Sequence, residues 1–204
     1  MPISEIRNLQ YDMFLFSFNL IALVAVFLLQ ILKKDFFVKH LKKIFVSVVV
    51  LTTLYFAYFV YLQYLAFHAG AMQFLFETLN GWLYFISYSR MNIFGHYLVA
   101  LISALGFLIG TNLLNKKCNE RFFEKEEPYL GALAIFLIGY PGWIFYLGIL
   151  IAIYLIIHFL SIKKGSLFIQ RLSLYYFWMP VAIFVILIIN FWFANFEWWT
   201  AFKF

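Results

Sequence analysis

Residues 116–160 read KKCNERFFEKEEPYLGALAIFLIGYPGWIFYLGILIAIYLIIHFL, and this stretch decides the fold. A charged segment passes at Pro128 into a long apolar run that is interrupted once, at GYPGW. The charges hold one end in water, whereas in lipid every backbone amide has to be hydrogen-bonded within the segment itself. The stretch therefore predicts a helical hairpin that crosses a membrane twice, with its turn at 139–142.

The composition of the whole chain indicates the same environment. Of the 204 residues, 66% are hydrophobic and 24% aromatic, and only 12% are charged, against about 25% in soluble domains. A soluble fold of this length could not bury so much apolar surface. The sequence thus predicts an all-α, polytopic integral membrane protein that is surrounded by the lipid bilayer.

Six transmembrane helices are predicted in a single transmembrane domain that covers residues 1–204. The helix over 128–139 is short for a hydrocarbon core of ~30 Å at about 1.5 Å per residue. It can span only if the acidic turn before it is partly submerged; otherwise it is a buried half-length helix. Pro180 predicts a kink in the last helix. The six helices cover about 11–32, 44–67, 93–114, 128–139, 143–160 and 172–192.

Residues 69–89 differ from these spans because polar side chains recur in them. Gln73, Glu77 and Asn80 follow each other at i, i+4 and i+7, so they form a narrow polar stripe on an apolar helix. We interpret this segment as an interfacial or re-entrant helix. The alternative is a further span, which would bury Glu77 and leave almost no loop before the next helix.

Positive charge alternates along the predicted loops. The segments 33–43, 115–127 and 161–171 contain five, four and three Lys or Arg residues, whereas the intervening segments have at most one each. Because cytoplasmic loops are enriched in Lys and Arg, these three lie inside and both termini lie on the outer side. The abundance of Phe and Lys is typical of an A/T-rich genome, which favours the inner or plasma membrane of a bacterium or an organelle.

Three carboxylates precede the short fourth helix: Glu124, Glu126 and Glu127. Carboxylates at a membrane boundary can bind ions or relay protons, which makes this group an ion or proton candidate. The alternative is that Glu126 and Glu127 cap the helix and stabilise its dipole.

Arg90 and His96 form a second candidate site, at the outer end of the third helix. An arginine and a histidine there could bind an anion or a lipid headgroup. Alternatively, Arg90 snorkels to the interface and His96 is hydrogen-bonded within the fold.

Small residues mark the helix over 93–114 as the central packing helix of the bundle. Such residues let membrane helices approach each other closely, and two of them form a GxxxG pair. They are Ala100, Ser103, Ala104, Gly106 and Gly110.

The net charge of +6 does not indicate nucleic-acid binding, because the lysines lie in short loops between apolar runs. Cys118 is the only cysteine, so a cysteine-based metal site is excluded. We assign no metal, no cofactor and no catalytic residue from the sequence.

Sparse intramembrane polar residues favour a non-catalytic subunit or scaffold of a larger membrane protein complex, whose partners are other membrane protein subunits. A small-solute or ion transporter that uses the short helix and its glutamates is the alternative. A membrane enzyme acting on lipid or peptide, with Glu127 or His96 as acid–base groups, is the second alternative.

Overall fold

The computed structural model describes residues 3–69, 76, 78–90, 94–118, 123–163, 174–193, 196 and 199. In this part of the chain there are seven helices and no strand, so the protein is all-α. The helices are α1 (Ile3–Leu32), α2 (Lys34–Ala69), α3 (Leu79–Ser89), α4 (Gly95–Lys117), α5 (Glu127–Ile138), α6 (Gly142–Lys163) and α7 (Trp178–Phe191).

Four of these helices are long and apolar enough to cross a membrane. They are the parts Phe14–Leu32, Lys34–His68, Gly95–Lys117 and Gly142–Leu160. The other two candidates, α5 with 12 residues and α7 with 14, are shorter. At about 1.5 Å per residue they measure ~18 and ~21 Å, less than a hydrocarbon core of ~30 Å. Helix length and composition therefore support four membrane-spanning helices. The six spans predicted from the sequence are not confirmed.

The lysine-rich segment 33–43 is helical, not a loop, because α2 begins at Lys34 directly after a one-residue turn at Lys33. Phe37, Leu41 and Phe45 recur every four residues and are buried at 0%, 3% and 6% exposure. An apolar stripe at this spacing stabilises a helix that packs on a core. The lysines of this segment are exposed, so the charges and the buried stripe occupy different faces.

The hairpin turn predicted at 139–142 is confirmed. α5 ends at Ile138, and α6 begins at Gly142. Gly139 between them has φ of 77°, a conformation that is strained for residues with a side chain. The Tyr140–Pro141 peptide in this turn is cis.

The centre of the bundle is α5, which corrects the prediction that the third helix is central. Ten of the twelve residues of α5 are buried, and it packs against α1, α2, α4, α6 and α7. A helix that is apolar all round is suited to burial on every side. By contrast, α4 exposes Ile102, Ile109 and Leu113 at 70%, 58% and 63%.

The last helix begins later than predicted, at Trp178 instead of residue 172. Pro180 then lies in the first turn of α7, where a missing backbone N–H costs no intrahelical hydrogen bond. The phenol of Tyr146 in α6 donates to the carbonyl oxygen of Trp178 at 3.2 Å, which ties this first turn to the neighbouring helix.

The segment predicted to be interfacial is described in part. Its last eleven residues form α3, which Thr78 caps by accepting the N–H of Gly81 at 3.2 Å. Phe85 of α3 is buried, and its ring packs against Tyr64 and Phe67 of α2. Residues 70–75 and 77, which carry two of the three polar residues of the predicted stripe, lie outside the described residues.

Candidate functional site

A cleft of about 370 Å³ lies where three segments of the chain meet at the lysine-rich end of the bundle. The first turns of α2 form one wall. The second wall is the glutamate segment, by which we mean residues 123–126 before α5. The turn before α7 closes the third side. We call this the charged cleft, and its lining residues are Lys34, Asp35, Val38, Lys39, Glu124, Glu126 and Tyr175.

The glutamate segment is held in place by Asn115 near the end of α4. The Asn115 side chain is 8% exposed, and its amide nitrogen donates to the carbonyl oxygen of Phe123 at 2.8 Å. Its amide oxygen accepts the N–H of Phe123 at 3.1 Å. Because both backbone polar groups of one residue, Phe123, pair with one side chain, the segment is fixed beside the end of α4.

The predicted carboxylates occupy different environments. Glu124 and Glu126 are half-buried and line the cleft, whereas Glu127 is 1% exposed. Oε2 of Glu127 accepts the N–H of Glu124 at 3.1 Å, and its Oε1 accepts the N–H of Leu174 at 2.7 Å. The first contact ties the backbone three residues before Glu127 to the start of α5. Glu127 therefore joins the start of α5 to the glutamate segment and to the segment before α7.

Glu126 plays a different part, since it is the N-cap of α5 but makes no side-chain hydrogen bond to the helix. The capping alternative for Glu126 and Glu127 stays a prediction. Glu126 lines the charged cleft instead.

Tyr175 connects the cleft to the core. The amide nitrogen of Gln30, which is fully buried in α1, donates to the Tyr175 carbonyl oxygen at 2.5 Å. Nζ of Lys34 lies 5.3 Å from the centroid of the Tyr175 ring and 5.8 Å from that of Tyr176, within cation–π range. Burial, Tyr176 and the nearby Glu126 and Glu124 raise the pKa of the Tyr175 phenol to about 12.

The second predicted site lies at the other end of α4. Arg90 is the C-cap of α3 and is exposed, whereas His96 lies half-buried in the first turn of α4. Residues 91–93, which connect these helices, are outside the described residues. The described contacts do not join the two side chains into one site. Among the described residues, no three His, Cys, Asp or Glu side chains are grouped to hold a metal ion.

The small residues of α4 divide between two faces. Ala100 and Ala104 are fully buried, on the face that continues to Thr111 and Asn115 and packs against α5. Gly106 is exposed, and a Cβ built on Gly106 or on Gly110 meets nothing within 4 Å. Ser103 and Gly110 are half-buried. The space above the GxxxG pair is therefore not filled by other described residues of the chain.

The sequence analysis did not predict the roles of Asn115 and Tyr175 at this site. It also did not predict that Lys34 and Lys39 line the cleft. Asn115 offered one signal, because it is a polar residue at the end of an apolar run. Comparison with protein-family models, with curated proteins and with solved structures finds no match to this chain.

Proposed function

We propose that this chain is a non-catalytic subunit or scaffold of a larger membrane protein complex, and that a transmembrane helix of another subunit packs against α4. The observation that carries this proposal is the open pair Gly106 and Gly110, where an added Cβ would meet no atom within 4 Å. Glycines at this spacing allow helices in membranes to approach closely. A GxxxG pair that the described chain does not use itself is available to a helix of another subunit.

The residues around this pair have the shape that such packing needs. Ile102, Ile109 and Leu113 are among the most exposed residues of α4, at 70%, 58% and 63%. They lie at helical spacing around Gly106, so they form ridges beside a groove. A partner helix could place its own side chains in the groove beside these ridges.

The contacts of Glu127 support a non-catalytic role. Both of its oxygens accept backbone N–H groups, from Glu124 and Leu174, so the carboxylate stabilises the fold around α5. A carboxylate occupied in this way is a poor candidate for carrying ions or protons.

The test of this proposal is the double variant Gly106→Leu with Gly110→Leu, compared with Gly148→Leu. Gly148 in α6 also has no atom within 4 Å of an added Cβ, so it is a matched control for an apolar helix. After gentle extraction, wild type and Gly148→Leu are expected to migrate as an assembly larger than the 24.2 kDa chain. The double variant should migrate as a monomer of unchanged thermal stability. A wild-type chain that is itself a lone monomer would contradict the proposal.

We further infer that α5 and α7 also cross the membrane, which gives six spans, and that residues 69–89 are interfacial or re-entrant. Both termini then lie on the outer side. The membrane is an inner or plasma membrane of a bacterium or an organelle. The Lys and Arg asymmetry between the segments 33–43, 115–127 and 161–171 and the segments that alternate with them supports this orientation. Cys118 provides the test, because it is the only cysteine and follows α4 in the segment 115–127. A membrane-impermeant maleimide should label Cys118 in inverted vesicles and not in intact cells. In a Cys118→Ser background, Ser4→Cys should show the opposite pattern.

A small-solute or ion transporter is the second candidate, and α5 favours it. This half-length helix is enclosed by five other helices and has the charged cleft at its N-terminal end. Broken helices that line cavities form the binding sites of many transporters. Cation or proton flux into proteoliposomes that is lost in Glu126→Gln would support transport. Equal leakage from protein-free liposomes would contradict it.

A further inference from the structure

We propose that the charged cleft binds a zwitterion that carries a phosphate and a primary ammonium group, the chemistry of the phosphatidylethanolamine headgroup. The charged cleft lies near the C-terminal end of α4. The inference does not depend on the GxxxG pair of that helix. It rests on the distribution of charge in the cleft, on the level of the cleft along the helices, and on its size.

The lysines and two of the three carboxylates of the cleft come from different walls, while the third carboxylate, Asp35, lies beside Lys34 on α2. Lys34 and Lys39 belong to α2, whereas Glu124 and Glu126 belong to the glutamate segment across the cleft. A simple anion would lie beside carboxylates, and a simple cation would lie beside lysines. A ligand with both charges places its phosphate near the lysines and its ammonium near the glutamates. A primary ammonium offers three N–H donors, and carboxylates only accept.

The arrangement is held by contacts that do not involve the ligand. Lys34 lies over the rings of Tyr175 and Tyr176, with Nζ 5.3 and 5.8 Å from their centroids. The two hydrogen bonds between Asn115 and Phe123, at 2.8 and 3.1 Å, fix the opposite wall. A site whose walls are fixed before binding loses less conformational entropy when the ligand enters.

The cleft lies at the level where the apolar helices end. The apolar part of α1 ends at Leu32, two residues before Lys34. Asn115 brings the glutamate segment to the last turns of α4, which ends at Lys117. In a membrane this is the level of the headgroups. The volume of about 370 Å³ is within the range of roughly 300–1,000 Å³ that holds small ligands.

The experiment measures lipid retention by native mass spectrometry of the full chain in nanodiscs of phosphatidylcholine, alone or with phosphatidylethanolamine or phosphatidylglycerol. Phosphatidylcholine has the same phosphate but a quaternary ammonium without N–H donors, and phosphatidylglycerol has no ammonium. We expect phosphatidylethanolamine to be retained about tenfold more tightly than either. Equal retention of all three lipids would overturn the proposal.

Two variants with opposite charge changes distinguish a specific zwitterion site from a general effect of the net charge of the cleft. Lys39→Gln removes a positive charge and Glu126→Gln removes a negative one, yet each should weaken phosphatidylethanolamine retention by about tenfold. Lys42→Gln is the control, because Lys42 is exposed on the same helix but does not line the cleft. If the two cleft variants instead shift retention in opposite directions, the effect is one of net charge and the proposal fails.

Free phosphoethanolamine identifies the source of the ligand. If it displaces phosphatidylethanolamine from wild type and not from Glu126→Gln, the site recognises the zwitterion itself, without a contribution from the acyl chains. If the lipid is retained selectively but free phosphoethanolamine does not compete, the ligand is the lipid, whose acyl chains contribute. Binding of neither would overturn the proposal.

Discussion

Glu127 and Leu174 are 47 positions apart in the chain, and the Glu127 carboxylate accepts the backbone N–H of Leu174 at 2.7 Å. The same carboxylate accepts the N–H of Glu124 at 3.1 Å. One buried side chain thereby fixes both the start of the central helix α5 and the approach to α7. Because both contacts come from one buried side chain, they organise the end of the bundle that carries the charged cleft.

Replacing Glu127 by Ala is expected to lower the free energy of unfolding by about 3 kcal/mol, since it leaves two N–H donors without this acceptor at about 1–3 kcal/mol each. Glu127→Gln should lie between Ala and wild type, because its amide keeps one acceptor but turns an NH₂ toward an N–H. Thermal unfolding in a fixed detergent measures the order. Glu126→Gln is the control, since Glu126 makes no side-chain hydrogen bond to α5. A wild-type melting temperature in Glu127→Ala would contradict the structural role.

Asn115 gives a second prediction, which depends on pH. Asn115→Ala removes both hydrogen bonds to Phe123 and should destabilise the fold by about 2 kcal/mol. Asn115→Asp should be at least as unstable at neutral pH, because the ionised carboxylate cannot donate to the Phe123 carbonyl. It should recover relative to wild type as the pH falls, since the protonated carboxyl has one donor and one acceptor. Melting temperatures of wild type and both variants over the same pH series test this, and a constant difference for Asn115→Asp would refute it.

The sequence predicts the class of this fold and the site of its hairpin turn because both depend on local signals. The apolar runs predict helices long enough to cross a membrane, and Gly139 to Gly142 interrupt the longest of them. Which helix is central could not be predicted. In a membrane protein, residues that face lipid and residues that face protein are both apolar, so α5 and the exposed half of α4 look alike in sequence.

The charged cleft could be predicted only in part. Glu124 and Glu126 stand out as carboxylates next to an apolar run, whereas Lys34 is one of five lysines in its segment. Tyr175 is one of 14 tyrosines and carries no local signal. The cleft arises because α1 and α2 join in one turn and Asn115 holds the glutamate segment, and both are tertiary features.

Tyr175 predicts how stability changes in alkaline solution. Its pKa is raised from 10.0 to about 12 in the folded protein, first by burial and then by Tyr176, Glu126 and Glu124. Between these values the unfolded chain loses the phenolic proton while the folded protein keeps it, so the unfolded state binds fewer protons and stability falls as pH rises. Below pH 10.0 both states are protonated, and this contribution is fully present. Tyr175→Phe should therefore lose less stability than wild type between about pH 10 and 12. Parallel losses in both proteins would contradict the shift.

Gly131 and Gly106 provide the last prediction, because the same substitution should have opposite effects at the two positions. A Cβ on Gly131 would lie 2.5 Å from Cε1 of Phe107 and 2.6 Å from Cζ3 of Trp178, two rings packed edge to face at 66°. Since these rings fill the interface of α5 with α4 and α7, Gly131→Ala should destabilise the fold by about 1–3 kcal/mol. Gly106→Ala meets no atom and gains helix propensity, so it should be neutral or stabilising by up to about 1 kcal/mol. Melting temperatures of the two variants in one detergent test this contrast. Equal effects at both glycines would show that α5 is not enclosed between α4 and α7.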